Sequence, residues 1–129
     1  MPLQVDNTYP KKEKLKSKKR IAQLFAEGKA LTVFPIKLIY IKSTDQEAFL
    51  QAGVAVPKKN FKSAVKRNHM KRLLRESYRL NKSLVDNNTE DTFAFLFLYL
   101  GRESLSFDAI QHKMKLLLRK FNDDIKKSQ

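Results

Sequence analysis

The 129-residue sequence predicts one domain of the α+β class, in which helices pack against a mixed sheet. Hydrophobic residues make up 42% of the chain, which is enough for a packed core. Segments with apolar residues at helical spacing alternate with shorter segments of β-type pattern, and no repeat period is visible. The predicted order of elements is α-β-β-α-β-α.

The first helix is predicted over Lys18–Glu27, because apolar residues recur there on one helical face. Ser17 can cap its first turn, and Gly28 lies where a left-handed C-terminal cap favours glycine. The segment before this helix, residues 1–16, is rich in lysine and poor in apolar residues. It is therefore predicted to be a flexible basic arm.

Two strands are predicted next. Residues 33–42 have apolar side chains on both faces, and residues 48–56 alternate in the same β-type manner before Pro57 ends the strand. The polar segment 43–47 between them has the composition of a turn. The two strands are therefore predicted to pair as a β-hairpin.

The remaining elements are a long helix from about Ser63 to Leu84, a strand over Thr92–Tyr99 and a last helix that begins near Ser106. The strand is almost continuously apolar, as expected for a central strand covered on both faces. A single α/β domain is predicted over residues 17–125, and residues 126–129 are predicted to be a frayed C-terminus.

The charge of the chain indicates a polyanionic partner. There are 27 Lys and Arg against 13 Asp and Glu, a net charge of +14, which favours nucleic acid first and an acidic membrane surface second. The chain has no Cys, which excludes disulfides and Cys-ligated zinc and makes a cytoplasmic location the expected one. No apolar run approaches the roughly 18 residues of a membrane span, so no membrane partner is expected.

The most informative segment is the long helix. At 100° per residue, one side of this helix is cationic and the other is apolar. Taking Arg67 as zero, the arc from about 0° to 140° contains Lys71, Lys82, Arg75, Asn68, Arg79 and Arg72, and the arc from about 220° to 340° contains Leu80, Leu73, Leu84, Met70 and Leu74. Glu76 is the only acid between Lys58 and Lys82, so the cations lack the acids at i,i+4 that stabilise a solvated helix. Four of the seven arginines of the chain lie here, and the Arg side chain binds phosphate in a bidentate manner.

A solvated charged face is the alternative interpretation of this helix, but the pattern favours an RNA-binding surface. The preceding loop adds three lysines beside the helix N-terminus, which itself attracts phosphate. The predicted RNA-binding residues are Lys58, Lys59, Lys62, Lys66, Arg67, Asn68, Lys71, Arg72, Arg75 and Arg79.

The spacing of these residues resembles the signature segment of the bacterial ribonuclease P protein family. Two positions depart from the family pattern: His69 stands where members usually have Arg, and Ile21 stands where an aromatic residue is frequent. The resemblance covers residues 14–121. Its main motifs are Val56-Pro57-Lys58-Lys59 and, after a short spacer, Ala64-Val65-Lys66-Arg67-Asn68, Lys71-Arg72 and Arg75-Glu76.

The resemblance implies a two-layer α/β sandwich similar to domain 2 of ribosomal protein S5, with a left-handed β-α-β crossover against the usual rule. It also implies an enzyme component: the protein subunit of ribonuclease P, the endoribonuclease that removes the 5′ leader of precursor tRNA. The family's catalysis is carried by its RNA subunit, with Mg²⁺ held mainly by that RNA. No catalytic residue and no metal ligand are therefore expected in the protein.

The implied partners are the catalytic RNA, on the basic helix, and the precursor tRNA leader, in a cleft between the first helix and the sheet. No protein partner is implied. A single strand is held by a cationic groove with aromatic platforms. Phe25, Phe34 and Tyr40 are the candidates for stacking, although aromatic residues at such positions are often part of a core.

Other functions have less support. His69 and His112 lack partners at the spacing of a metal or nucleophilic site, and Asp123-Asp124 is better explained as a helix-end feature. A helix-turn-helix DNA binder is disfavoured because strands flank the basic helix on both sides. The main alternative is a non-enzymatic ribosomal protein or RNA chaperone, which would share the size, charge and fold.

Overall fold

The computed structural model describes residues 14–15, 17–43, 50–85 and 91–127. These residues form one four-stranded sheet and three α-helices, which confirms the predicted α+β class. In chain order the elements are α1 (Lys18–Glu27), β1 (Lys29–Val33), β2 (Ile36–Ser43), β3 (Leu50–Ala55), α2 (Ala64–Asn81) with a short 3-10 helix (Lys82–Leu84), β4 (Thr92–Tyr99) and α3 (Phe107–Lys127).

The strands lie in the order β1-β2-β4-β3. Strand β4 pairs with β2 in antiparallel orientation and with β3 in parallel orientation, so the prediction of a central strand is confirmed. The parallel strands β3 and β4 are joined through α2, which makes the β-α-β unit. The left-handed sense of this crossover remains a prediction.

The predicted hairpin between residues 33–42 and residues 48–56 is wrong. Strand β2 forms its hairpin with β1, a strand that the sequence reasoning missed, through the turn Phe34-Pro35. Strands β2 and β3 are separated by β4, because β4 is apolar on both faces and is buried best between two neighbours. The predicted turn over residues 43–47 lies, except for Ser43, outside the described residues.

The core lies on both faces of the sheet. On the first face, aromatic residues of β4 pack against α2 and α3, with Phe95 and Phe121 at a centroid distance of 4.7 Å. On the second face, Leu24 of α1 packs against Ile39 and Leu96. Helix α1 therefore lies on the opposite face from α2 and α3.

Helix α1 has the predicted bounds and the predicted N-cap, since the Ser17 hydroxyl accepts a hydrogen bond from the Arg20 amide at 3.2 Å. The prediction of a left-handed cap at Gly28 is wrong, because Gly28 is extended with φ −70° and ψ 154°. Position 28 needs glycine because a side chain would not fit there. A Cβ would lie 2.4 Å from the carbonyl oxygen of Leu24 and 2.7 Å from Cγ2 of Ile39.

The prediction of a flexible arm is wrong for Lys14 and Leu15, which are held at the edge of the sheet. The amide of Leu15 donates to the carbonyl of Ala52 at 2.9 Å, and Lys14 forms a parallel bridge to the same residue at the outer edge of β3. Leu15 is buried because its side chain covers Gly53. The rest of the predicted arm, residues 1–13 and Lys16, lies outside the described residues.

Helix α3 begins after Ser106, whose hydroxyl accepts from the Ala109 amide at 3.2 Å, and continues to Lys127. The predicted frayed end therefore has its first two residues in the helix, and residues 128–129 lie outside the description. Lys120 Nζ donates to the carbonyl of Thr32 in β1 at 3.1 Å. None of the described helices is long and apolar enough to cross a membrane.

Candidate nucleic-acid interface

The loop between β3 and α2, residues 56–63, is fixed to the end of the sheet. The Phe61 ring is buried against Tyr99, with centroids 5.7 Å apart, and Asn60 Nδ2 donates to the carbonyl of Leu100 at 3.3 Å. A turn within the loop joins the Phe61 amide to the carbonyl of Pro57 at 3.3 Å. The loop is thereby held in one conformation that leaves its predicted RNA-binding lysines exposed: Lys58, Lys59 and Lys62.

Sequence reasoning missed Asn60 and Phe61 as anchors of this loop. The signal was present, because Phe61 is the single aromatic residue in a segment of lysines and small polar residues. An aromatic side chain in such a segment is best accounted for by burial, and Phe61 is 5% exposed.

Helix α2 spans Ala64–Asn81 and carries the predicted RNA-binding residues from Lys66 to Arg79; it ends before the predicted Leu84, because Lys82–Leu84 form a 3-10 helix. Ser63 is its N-cap and accepts from the Lys66 amide at 3.3 Å. The buried face is centred on Met70, Leu74 and Tyr78. Because Tyr78 belongs to that face, the cations nearest to it on the helical wheel are half-buried rather than exposed.

Four predicted RNA-binding cations have no internal counter-charge. Lys66, Arg72 and Arg75 are exposed and Lys71 is half-buried. Within the described part of the chain, none of the four makes an ion pair or a side-chain hydrogen bond. Asn68, between them, is also exposed. This set forms the open part of the predicted surface, which we call the cationic strip.

Arg67 has a different position. Its Nη1 atom donates to the carbonyl oxygens of Phe61 at 2.8 Å and of Lys62 at 3.0 Å. The guanidinium therefore turns back onto the loop instead of projecting from the cationic strip. Arg67 ties the loop to the first turn of α2 and so fixes the relative position of two sets of cations.

Arg79 also has an internal partner. Its guanidinium donates through Nε and Nη2 to the Glu76 carboxylate, one turn earlier on the exposed side of α2. This hydrogen bond lowers the pKa of Glu76 and raises the pKa of Arg79. Among the described residues, the cationic strip thus has no internal partners, whereas Arg67 and Arg79 each have at least one.

The prediction that Tyr40 stacks on the leader is wrong. Tyr40 is 4% exposed and meets the Phe121 ring edge-to-face at 4.8 Å, on the face that also contains Ile36 and Leu38. Its hydroxyl donates to the carboxylate of Asp124. Burial, and then this hydrogen bond, raise the pKa of Tyr40. The alternation of β2 already placed Tyr40 with the core residues.

Phe25 and Phe34 are both open to solvent, 59% and 65% exposed, but they lie at different places. Phe25 belongs to α1, which contacts β2 and β4 on the second face of the sheet. Phe34 is in the β1–β2 turn and lines a pocket beside Leu100 and Arg102 at the end of the sheet. The structure therefore does not bring the two rings into one cleft.

The sheet face that carries α1 has a cation of its own. Lys37 alternates with Ile36 and Leu38 along β2, so it lies on the second face with α1. It is half-buried, as is Ile41 on the same face. Among the described residues, no three His, Cys, Asp or Glu side chains form a group that could hold a metal ion.

Comparison with known sequences assigns the family. The sequence model of the family described as Ribonuclease P matches residues 9–122. The ribonuclease P protein component of Porphyromonas gingivalis ATCC 33277 is 37% identical over 114 residues, which cover 84% of this chain and 83% of the relative. That of Chlorobium phaeobacteroides is 33% identical over 126 residues, which cover 87% and 86%.

Solved structures agree in fold. The RNase P protein from Thermotoga maritima superposes with a TM-score of 0.68 at 25% identity, covering 83% of this chain and 96% of that one. For the Staphylococcus aureus RNase P protein the TM-score is 0.69 at 18% identity, with coverage of 83% and 93%. With a family match over 114 of its 129 residues (9 to 122) and a relative at 37% identity, the chain belongs to the ribonuclease P protein family.

Proposed function

We propose that this chain is the protein component of ribonuclease P, and that it binds the catalytic RNA through the cationic strip and the loop over residues 56–63. The observation that carries the proposal is that Lys66, Lys71, Arg72 and Arg75 make no ion pair or side-chain hydrogen bond with any residue that the structure describes. Like charges one turn apart destabilise a helix by a few tenths of a kcal/mol per pair. An RNA backbone supplies the counter-charges and releases its own counterions.

The second surface of the proposal is the cleft between α1 and the sheet, which would take the single-stranded 5′ leader of precursor tRNA. Phe25 is an exposed aromatic ring on the helix that borders this cleft, and Lys37 is a cation on the sheet face below it. Aromatic stacking combined with cations along the backbone is how single strands are held without base-specific contacts. The chain would thereby hold the leader while the RNA subunit holds the tRNA body.

In this proposal the protein binds and orients RNA, and the RNA subunit carries out hydrolysis. Mg²⁺ is assigned mainly to the phosphate oxygens of the RNA subunit, which are the hard ligands that this cation prefers. A chain without Cys is compatible with the reducing cytoplasm, where we place it.

Reconstitution tests the proposal. The purified chain is added to its cognate catalytic RNA and a precursor tRNA at low Mg²⁺, where protein cations are most needed to offset phosphate repulsion. We expect stimulated removal of the leader. A double variant, Arg72→Gln with Arg75→Gln, is expected to require more protein for the same stimulation. The absence of stimulation by the unsubstituted chain would contradict the proposal.

The family match favours this function over a ribosomal protein or an RNA chaperone. Sedimentation of cell extracts distinguishes them independently. We expect the chain to migrate with an RNA of a few hundred nucleotides. Migration with ribosomes would favour the alternative.

A further inference from the structure

The pocket beside Phe34 lies at the end of the sheet, and no residue of α1 is among its described lining residues. It has a volume of about 570 Å³ and is bounded by the β1–β2 turn, the segment between β4 and α3, and α3 itself. We call it the turn pocket. This volume is within the range of about 300–1,000 Å³ that is usual for ligand sites. The residues that determine its chemistry are Phe34, Leu100, Arg102, Glu103 and Lys113.

The turn pocket combines an open aromatic ring with two cations. Phe34 is 65% exposed, so its ring contributes little to the core and has a face available to a ligand. Arg102 is exposed and Lys113 is half-buried, and neither makes an ion pair or side-chain hydrogen bond within the described residues. Glu103 is the one acid among the described residues of the lining, where the cations therefore exceed the acids by one.

The walls of the turn pocket are fixed. The Tyr99 hydroxyl donates to the backbone carbonyl of Glu103 at 2.5 Å, which holds the segment after β4. Gly101 is buried against Tyr99, and a Cβ there would lie 2.9 Å from the tyrosine ring. A pocket with a fixed backbone requires little ordering when a ligand binds, which favours affinity.

Two residues that line the turn pocket contact the loop of the proposed RNA surface. Leu100, which lines it, accepts the hydrogen bond from Asn60, and Tyr99, which also lines it, is the ring against which Phe61 packs. The loop that carries Lys58, Lys59 and Lys62 thus shares a wall with the pocket. An RNA chain lying along the loop would meet the pocket next.

From this arrangement we infer that the turn pocket binds an unpaired nucleotide of RNA, whose base stacks on Phe34 and whose phosphate contacts Arg102 and Lys113. The inference rests on the proposed function and adds a third RNA contact to it. A base and a phosphate match the lining, because aromatic rings stack on any base and Arg contacts phosphate in a bidentate manner. The nucleotide belongs either to the catalytic RNA or to the leader.

Site-directed cross-linking tests the inference and identifies the source. Because the chain contains no Cys, Arg102→Cys creates a unique thiol that can carry a photoactivatable azidophenacyl group. The same group on Lys59→Cys reports on the proposed function. Arg119→Cys is the matched control, since Arg119 is an exposed arginine of α3 that does not line the pocket. Each labelled protein is assembled with the catalytic RNA and precursor tRNA, one RNA radiolabelled at a time.

We expect cross-links from positions 102 and 59 and none from position 119. The labelled RNA that position 102 reaches identifies the source of the nucleotide. Cross-links from position 59 without any from position 102 would overturn the inference and leave the proposed function intact. A lack of cross-links from both positions would overturn the two together.

A second measurement separates stacking from mere proximity. Phe34→Leu keeps an apolar side chain but removes the ring, and it is expected to weaken binding of the cross-linked RNA by about fivefold or more. Phe34→Tyr keeps the ring and is expected to retain the affinity. Equal affinities of the leucine and tyrosine variants would contradict a stacked base.

Discussion

Replacement of Arg67 by Ala is expected to affect both the stability of the protein and its affinity for RNA. In the structure the Arg67 guanidinium does not point to the solvent but donates to the carbonyls of Phe61 and Lys62 at 2.8 and 3.0 Å. Arg67→Ala removes both hydrogen bonds. It also releases the loop that positions Lys58 and Lys59.

The magnitude follows from those two bonds. A net hydrogen bond contributes about 0.5–1.5 kcal/mol, and more when the donor is charged. The hydrogen bond to Phe61 is partly buried and contributes its full value to stability, whereas the hydrogen bond to Lys62 is exposed and contributes less. We therefore expect Arg67→Ala to lower the free energy of unfolding by about 1–2 kcal/mol.

Urea unfolding and RNA titration, carried out on three variants, measure the two effects. Arg75→Ala is the matched control, because Arg75 is exposed on the same helix and makes no ion pair or side-chain hydrogen bond among the described residues. Its stability is expected to stay within about 0.5 kcal/mol of the wild type. Its RNA affinity should fall, with a loss of about 0.7–0.9 from the slope of log affinity against log salt.

Arg67→Lys tests the positioning role directly, since it keeps the charge but cannot reproduce the planar guanidinium. We expect weaker RNA binding than in the wild type in spite of the equal charge. Equal stabilities of Arg67→Ala and Arg75→Ala would refute the idea that Arg67 holds the loop. Wild-type RNA affinity of Arg67→Lys would refute the need for that loop conformation in binding.

Three further predictions concern stability and charge. Gly28→Ala would place a methyl group 2.4 Å from a carbonyl oxygen of α1, and thermal unfolding is expected to show a loss of about 1–3 kcal/mol. Tyr40→Phe removes the hydrogen bond to Asp124 and is expected to lower the free energy of unfolding in urea by about 1 kcal/mol. Leader affinity should not change, because the ring is buried. A loss of leader affinity would show that Tyr40 contacts RNA. Arg79 lowers the pKa of Glu76, so this pair stabilises the fold above the ordinary carboxyl pKa of 4.5 and loses its effect as the pH falls through the lowered value. Glu76→Gln is therefore expected to remove that pH dependence from acid unfolding curves and to tighten RNA binding, and weaker RNA binding would contradict it.

The elements with strong periodicity could be predicted from the sequence. The bounds of α1 and β4 are the predicted ones, because a capping Ser and an uninterrupted apolar run are local signals. Strand β1 was missed because it is a short edge strand, only partly buried, with Lys29 at its start. The pairing of β2 with β4 depends on residues about fifty positions apart, and such a contact has no local signal.

The candidate site was predicted in composition but not in contacts. A helical wheel gives the direction of Arg67, but it does not give the loop carbonyls towards which the guanidinium turns. The exposure of Phe34 likewise depends on a turn that the predicted hairpin did not contain. Tyr40 could have been assigned to the core, since it alternates with Ile36 and Leu38.

The two outer edges of the sheet are each occupied in part by the chain itself. The amide of Leu15 donates a hydrogen bond to the carbonyl of Ala52 at the free side of β3. The Lys120 ammonium donates a hydrogen bond to the carbonyl of Thr32 in β1. Open strand edges are templates for the addition of strands from other molecules, which leads to aggregation. These occupied backbone groups, together with a charge of +14 on each copy, disfavour the joining of two molecules edge to edge.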